Sequence, residues 1–175
     1  SNKNYQNQLL GLLFLAVLIG THETLSIYMA TFFWELSPIQ IGYLVLNNII
    51  GYGVGFAITA KLHDKFDKPL VIFVSVFVLT IFWSLPILLG LLGAAPQNSS
   101  TELVIFLISI YAIASASGSI LNISVMSALA DITDEHELKT GKRQEGIFYA
   151  ARAFFSKASN GMGQVVAGLC LDIIN

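Results

Sequence analysis

Residues 70–92 read LVIFVSVFVLTIFWSLPILLGLL, 23 positions without one charged side chain. At 1.5 Å per residue, a helix of that length spans about 35 Å, enough to cross the roughly 30 Å hydrocarbon core of a bilayer. In water it would have no polar face to present, whereas in lipid a helix satisfies its backbone groups internally. The stretch therefore reads as a transmembrane helix.

The rest of the chain follows the same rule. Of its 175 residues 55% are hydrophobic and 11% charged, and the mean hydropathy is +0.72, where a soluble domain carries about 25% charged residues. Five segments have the length and apolarity of a span, at about 9–34, 39–60, 70–92, 103–129 and 147–174. They follow a polar N-terminal segment, 1–8, which lacks the apolar run of a signal peptide. The expected fold is all-α, a polytopic membrane bundle of about five transmembrane helices.

The breaks between the segments carry the turn chemistry. Ser37-Pro38 opens the second helix, Lys61 to Pro69 is a charged turn, Ala94 to Glu102 is a polar loop with Pro96, and Asp131 to Glu145 is a longer charged loop. Lys and Arg in short loops stay cytoplasmic. Lys61, Lys65 and Lys68 fall in the second loop and Lys139, Lys142 and Arg143 in the fourth, while the first and third have none. The N-terminus, with Lys3, is accordingly placed in the cytoplasm, and the long charged loop with it. Asn98-Ser99-Ser100 matches the glycosylation acceptor pattern on the opposite side, a short pattern that recurs by chance.

Several classes fall away. The net charge is -2 and the basic residues sit in two loops, so no basic face for nucleic acid exists. Cys170 is the only cysteine, which rules out an intramolecular disulfide and reads as packing. His136-Glu137 lacks the second histidine of a zinc-protease helix, with Thr140 in its place, so no metal site and no enzyme is expected.

Polar groups inside a bilayer are costly and mark pathways or packing. The third segment has only Ser75, Thr80 and Ser84 and reads as a lipid-facing outer helix. In the first, His22 and Glu23 sit near the middle, a titratable pair able to carry protons or accept a solute hydroxyl. In the second, Gly51 and Gly55 have the spacing for close helix approach. The fourth aligns Tyr111, Ser115, Ser119 and Asn122 in one stripe, for packing or for a cavity wall. In the fifth, Lys157 lies roughly 15 Å beyond Ile147, with Asn160 and Gln164 on its face. No carboxylate is within a turn of Lys157, so its partner is expected on another helix, Glu23 or one outside this chain.

Residues 130–161, ADITDEHELKTGKRQEGIFYAARAFFSKASNG, bear a specific resemblance. Ala130, Asp131, Asp134, Glu137, Lys139, Arg143 and Glu145 match, without gaps, the loop between the tenth and eleventh helices of the glycoside–pentoside–hexuronide:cation symporters. That group of the major facilitator superfamily includes the melibiose permeases, and the match continues through Tyr149 to Lys157. Residues 60–69 resemble the superfamily's G-x-x-x-D-R-x-G-R-R loop, with Ala60 and Asp67 in place of its glycines. The resemblance implies the seventh to eleventh helices of a twelve-helix transporter, the N-terminal half being a missing partner.

By that resemblance Asp131, Asp134 and Arg143 form a cytoplasmic gate, and Tyr149, Arg152 and Lys157 lie on the cavity face. Asn160, Gln164, His22 and Glu23 join them in the expected cavity or cation-site network. The implied function is cation-coupled symport of a sugar, sugar acid or related small solute by alternating access in a plasma or bacterial inner membrane. The coupling ion would be sodium or a proton, with no other cofactor. Arg152 and Ala153 depart from the melibiose permeases, which look uncharged and polar there, and an arginine favours an acidic sugar or other anion. The alternative is a non-transporting receptor or assembly subunit of the same fold.

Overall fold

The computed structural model describes residues 3–142 and 144–174, with no account of the side chains of 3–5, 8, 9 and 174. It contains six α-helices, and no strand among the described residues: α1 Lys3–Tyr28, α2 Pro38–Tyr43, α3 Val45–His63, α4 Lys68–Leu91, α5 Thr101–Thr140 and α6 Glu145–Ile174. A π-helical turn, Met29–Phe33, follows α1. Length and composition suit four stretches to crossing a membrane: Leu10–Phe33, Pro38–His63, Lys68–Leu91 and Thr101–Thr140. α6 is long enough, but it carries Arg152, Lys157, Asn160 and Gln164 along its middle, and it is not among the four.

The chain divides into two compact units. One holds the residues up to Phe33 and those from Leu129 on; the other holds Trp34–Ala128. In the second unit Ser37 caps α2, accepting from the Gln40 backbone at 3.3 Å while Gln40 Oε1 accepts from the Ser37 N–H at 2.9 Å. This is a reciprocal capping box, with Pro38 pre-set for the first turn. Between α2 and α3 the ladder tightens: the Asn47 N–H bonds back to Leu44 O at 3.0 Å, three residues away, and the Asn47 amide bonds the same carbonyl.

α3 runs alongside α5 in the same direction, since Gly51 meets Ala112 and Ser115 while Gly55, one turn on, meets Ala116 and Ser119. A Cβ on Gly51 would lie 2.4 Å from Ala112 O, and one on Gly55 2.5 Å from Ala116 O. Such backbone-to-backbone approach is open only to glycine, as the four-residue spacing anticipates. Thr59 continues the stripe, buried, its hydroxyl donating to Gly55 O at 2.6 Å. α4 buries only Val71, Ser75, Leu79 and Pro86, with Leu79 against Gly118, and leaves Phe73, Phe77, Ile81 and Leu88 exposed. That is the narrow contact stripe of an outer helix. Pro86 removes one ladder donor from α4.

A backbone clasp joins the segment after the first span to the start of α5. Glu35 and Ser99 both adopt positive φ, 53° and 61°. The Ser99 N–H donates to Trp34 O at 3.2 Å, its hydroxyl to Glu35 O at 2.6 Å, and Gln40 Nε2 to Ser99 O at 2.8 Å. Left-handed backbone costs a non-glycine residue roughly 1–2 kcal/mol, which these bonds offset.

The expected loop 131–145 is mostly helix. α5 runs to Thr140, about 60 Å in all and twice the hydrocarbon thickness. The charges between Asp131 and Lys139 mark departure from lipid rather than an end of helix. No breaker precedes Gly141, and Glu135 pairs with Lys139 one turn on. Gly141, at φ 68°, closes the helix by donating to Glu137 O at 2.8 Å. Residues 60–63 are likewise the last turn of α3, which shortens the second loop to 64–67.

Two outcomes are expected. A methyl at Gly55 overpacks the α3/α5 crossing by about 1–3 kcal/mol, outweighing the 0.5–1 kcal/mol gained in helix propensity. Gly55→Ala therefore lowers the melting temperature, whereas Gly53→Ala, whose Cβ meets nothing within 4 Å, leaves it unchanged or raises it. At the clasp, Ser99→Ala loses the hydroxyl bond and keeps the strained backbone, costing about 1 kcal/mol. Ser99→Gly loses the same bond but relieves the strain, and its melting temperature falls less.

Candidate functional site

In the unit that contains α1 and α6, the two helices cross at small residues. A Cβ on Gly20 would lie 2.5 Å from Asn160 O, and one on Gly163 2.4 Å from Val17 O and 2.8 Å from Thr21 N. Thr21 reinforces the crossing, its hydroxyl placed 2.9 Å from Val17 O and 3.1 Å from Gly163 O. Ala16, Ser159 and Ala167 are buried along the same line. The sequence carries the signal as Ala16-x3-Gly20 and Ser159-x3-Gly163-x3-Ala167, a repeat of small residues at helical spacing.

This crossing sets where the polar side chains of α6 point. Lys157 lies roughly 160° around the helix from Ser159, at 100° per residue, and Gln164 is within about 20° of Lys157. Both are exposed. Asn160, beside the crossing, is half-buried, and its Oδ1 is buried without a hydrogen-bond partner among the described residues. Tyr149 and Arg152 are half-buried. Arg152 is about 140° from Lys157 and on the side of Ser159 and Gly163, so one face of α6 does not hold both cations.

On α1, Glu23 is exposed and His22 half-buried. Thr24 and Ser26 turn their hydroxyls back on the helix, donating to Gly20 O at 2.9 Å and Glu23 O at 2.8 Å. Lys157 and Glu23 form no ion pair. The choice of Glu23 as the lysine's partner is not realised in this structure.

The acidic end of α5 belongs to the same unit. Asp131 and Asp134 are exposed about one turn apart, and Arg143, the third member of the expected gate, lies outside the described residues. His136 Nε2 lies 3.1 Å from Gln144 Oε1, and its ring meets Phe148 edge-on at 5.1 Å between centroids. Gln144 in turn starts α6, its carbonyl accepting from Ile147 N at 3.0 Å. His136 therefore fastens the α5–α6 turn. Spacing alone did not reveal this, because Gln144 lies in the turn before α6, eight residues from His136.

In the other unit, the polar stripe of α5 serves two purposes. Ser119 packs against Gly55, whereas Ser115 reaches Asn47 Oδ1 at 2.6 Å and Asn48 Oδ1 at 2.9 Å on α3. Asn122 is exposed. Near the end of α3, His63 Nε2 lies 2.8 Å from the hydroxyl of the buried Ser124.

Comparison with known proteins adds two matches. The family model described as MFS/sugar transport protein matches residues 1–175. An uncharacterized symporter, YnaJ of Bacillus subtilis (strain 168), is 40% identical over 86 residues, 49% of this chain and 17% of that protein. No solved structure matches.

Proposed function

This chain belongs to the MFS/sugar transport protein family, and we propose that it forms part of a secondary transporter carrying a sugar, sugar acid or related small solute by cation-coupled symport. The finer placement is among the glycoside–pentoside–hexuronide:cation symporters, with α1 to α6 as the seventh to eleventh helices. α2 and α3 together make the eighth. The N-terminal half would be the main partner, and a plasma or bacterial inner membrane the setting.

One observation carries this reading. Lys157 stands about 18 Å along α6, exposed on the side away from the α1 crossing, with no ion pair among the described residues. A cation in lipid at that depth is too costly to keep, so its surroundings must be water, solute or a carboxylate of the other half. α6 crosses the bilayer in this reading because its Asn160 and Gly163 lie beside Gly20 and Val17, inside the span Leu10–Phe33. A charged group that meets coupling cation or solute from one half, while the other half rocks about it, is what alternating access requires.

The cytoplasmic end fits the same cycle. Asp131, Asp134 and Arg143 would exchange ion-pair partners between two states, and exposed pairs do so at a cost of only about 1 kcal/mol each. The helical extension of α5 gives the two aspartates a rigid base, and the His136–Gln144 bond holds the following turn to it.

In membrane vesicles carrying the transporter, Lys157→Ala is expected to lower cation-driven sugar uptake about tenfold or more at normal expression. That is the equivalent of one charge-assisted hydrogen bond, roughly 1.5–3 kcal/mol. Full uptake by the variant would contradict the role.

A further inference from the structure

We propose that Asn47, Asn48 and Ser115 form a hydroxyl-binding site for a neutral polyol ring, taking two adjacent hydroxyl groups of the solute. The proposal rests on the sugar-transport reading and deepens it, adding a site on the α3/α5 pair to the charged one on α6.

The hydrogen-bond inventory is the first reason. Ser115 has one hydroxyl hydrogen, yet its oxygen lies 2.6 Å from Asn47 Oδ1 and 2.9 Å from Asn48 Oδ1. It satisfies one carbonyl at a time and leaves the other short of a donor. The Asn47 amide gives one N–H to Leu44 O, at the tightened turn where α2 passes into α3. Asn48 keeps both N–H donors without a partner among the described residues, and it is exposed. The cluster thus offers spare donors and one spare acceptor side by side. Adjacent ring hydroxyls, each both donor and acceptor, are complementary to that set, while an anion would leave the acceptor unmet.

Position is the second reason. The cluster lies within the span Pro38–His63, and an amide facing hydrocarbon would leave its N–H groups unsatisfied at several kcal/mol. Joining α3 to α5 needs only Asn47 and Ser115, and Gly51 and Gly55 already hold the helices together. Asn48 is surplus to packing. One turn on, Tyr52 is 54% exposed on the same side of α3, an aromatic face beside the amide. A polar group converging with an aromatic ring is the usual lining of a small-molecule site.

The test uses the intact transporter that contains this chain, as wild type, Asn48→Leu, and Asn48→Ala in case the larger side chain disturbs folding. Affinities are read from melting temperature against concentration for D-galactose, D-xylose and their monodeoxy analogues. The expected result is that the best-binding ring loses at least tenfold in affinity on Asn48 replacement. For one deoxy analogue, wild type and variant should then bind alike, because the hydroxyl that Asn48 meets is gone. Equal affinity of wild type and both variants for every ring overturns this site and leaves sugar transport standing. Absence of stabilisation of the wild type by any ring overturns the sugar reading and the site with it.

Discussion

Close approach of helix backbones at glycine is the constraint on which the other features depend. Lipid is as apolar as leucine, so burying apolar side chains does little to hold two membrane helices together. Contact must come from shape, and shape here means Gly51 and Gly55 on α3 and Gly20 and Gly163 on the α1/α6 pair, each with a backbone oxygen 2.4–2.5 Å from where a Cβ would be. Both units of the chain use the same device. Polar side chains near the crossings add hydrogen bonds that are satisfied locally, as with Thr21 on Gly163 and Thr59 on Gly55.

Fixing the crossings fixes the faces. With Ser159, Gly163 and Ala167 against α1, the pitch of α6 carries Lys157 and Gln164 to the far side and leaves Asn160 at the edge. With Gly51 and Gly55 against α5, Asn47 and Asn48 flank the contact and share Ser115. α4, which packs by a single stripe, has only small hydroxyl side chains to place, of which Thr80 and Ser84 bond back to its own backbone, and turns phenylalanines outward. Which side chains each helix leaves exposed thus follows from where small residues occur along it.

Much of this was legible in the sequence. The all-α character and four long apolar helices were legible from composition and apolar length, and the spacing of Gly51 and Gly55 anticipated their contact. The acidic stretch 131–139 misled, because charge reads as loop when it also reads as helix leaving the membrane; the i,i+4 pair Glu135–Lys139 was the available sign. Arg152 and Lys157 were assigned one face through the family resemblance, although five residues along a helix turn through roughly 140°. The Glu35–Ser99 clasp was out of reach. Its partners are 64 residues apart, and neither glutamate nor serine announces a positive φ.

Accessibility to water tests the central claim, that the crossings aim the polar face of α6 into an aqueous pathway and the face of α4 into lipid. In the intact transporter with Cys170→Ser, single cysteines would be placed at Lys157, Gln164, Phe73 and Phe77, and their rates of reaction with a charged, membrane-impermeant thiol reagent measured. Thiols in lipid stay protonated and unreactive. The account predicts modification at Lys157 and Gln164 at least about tenfold faster than at Phe73 and Phe77, where the same thiolate chemistry is suppressed. Equally slow reaction at all four positions would contradict it.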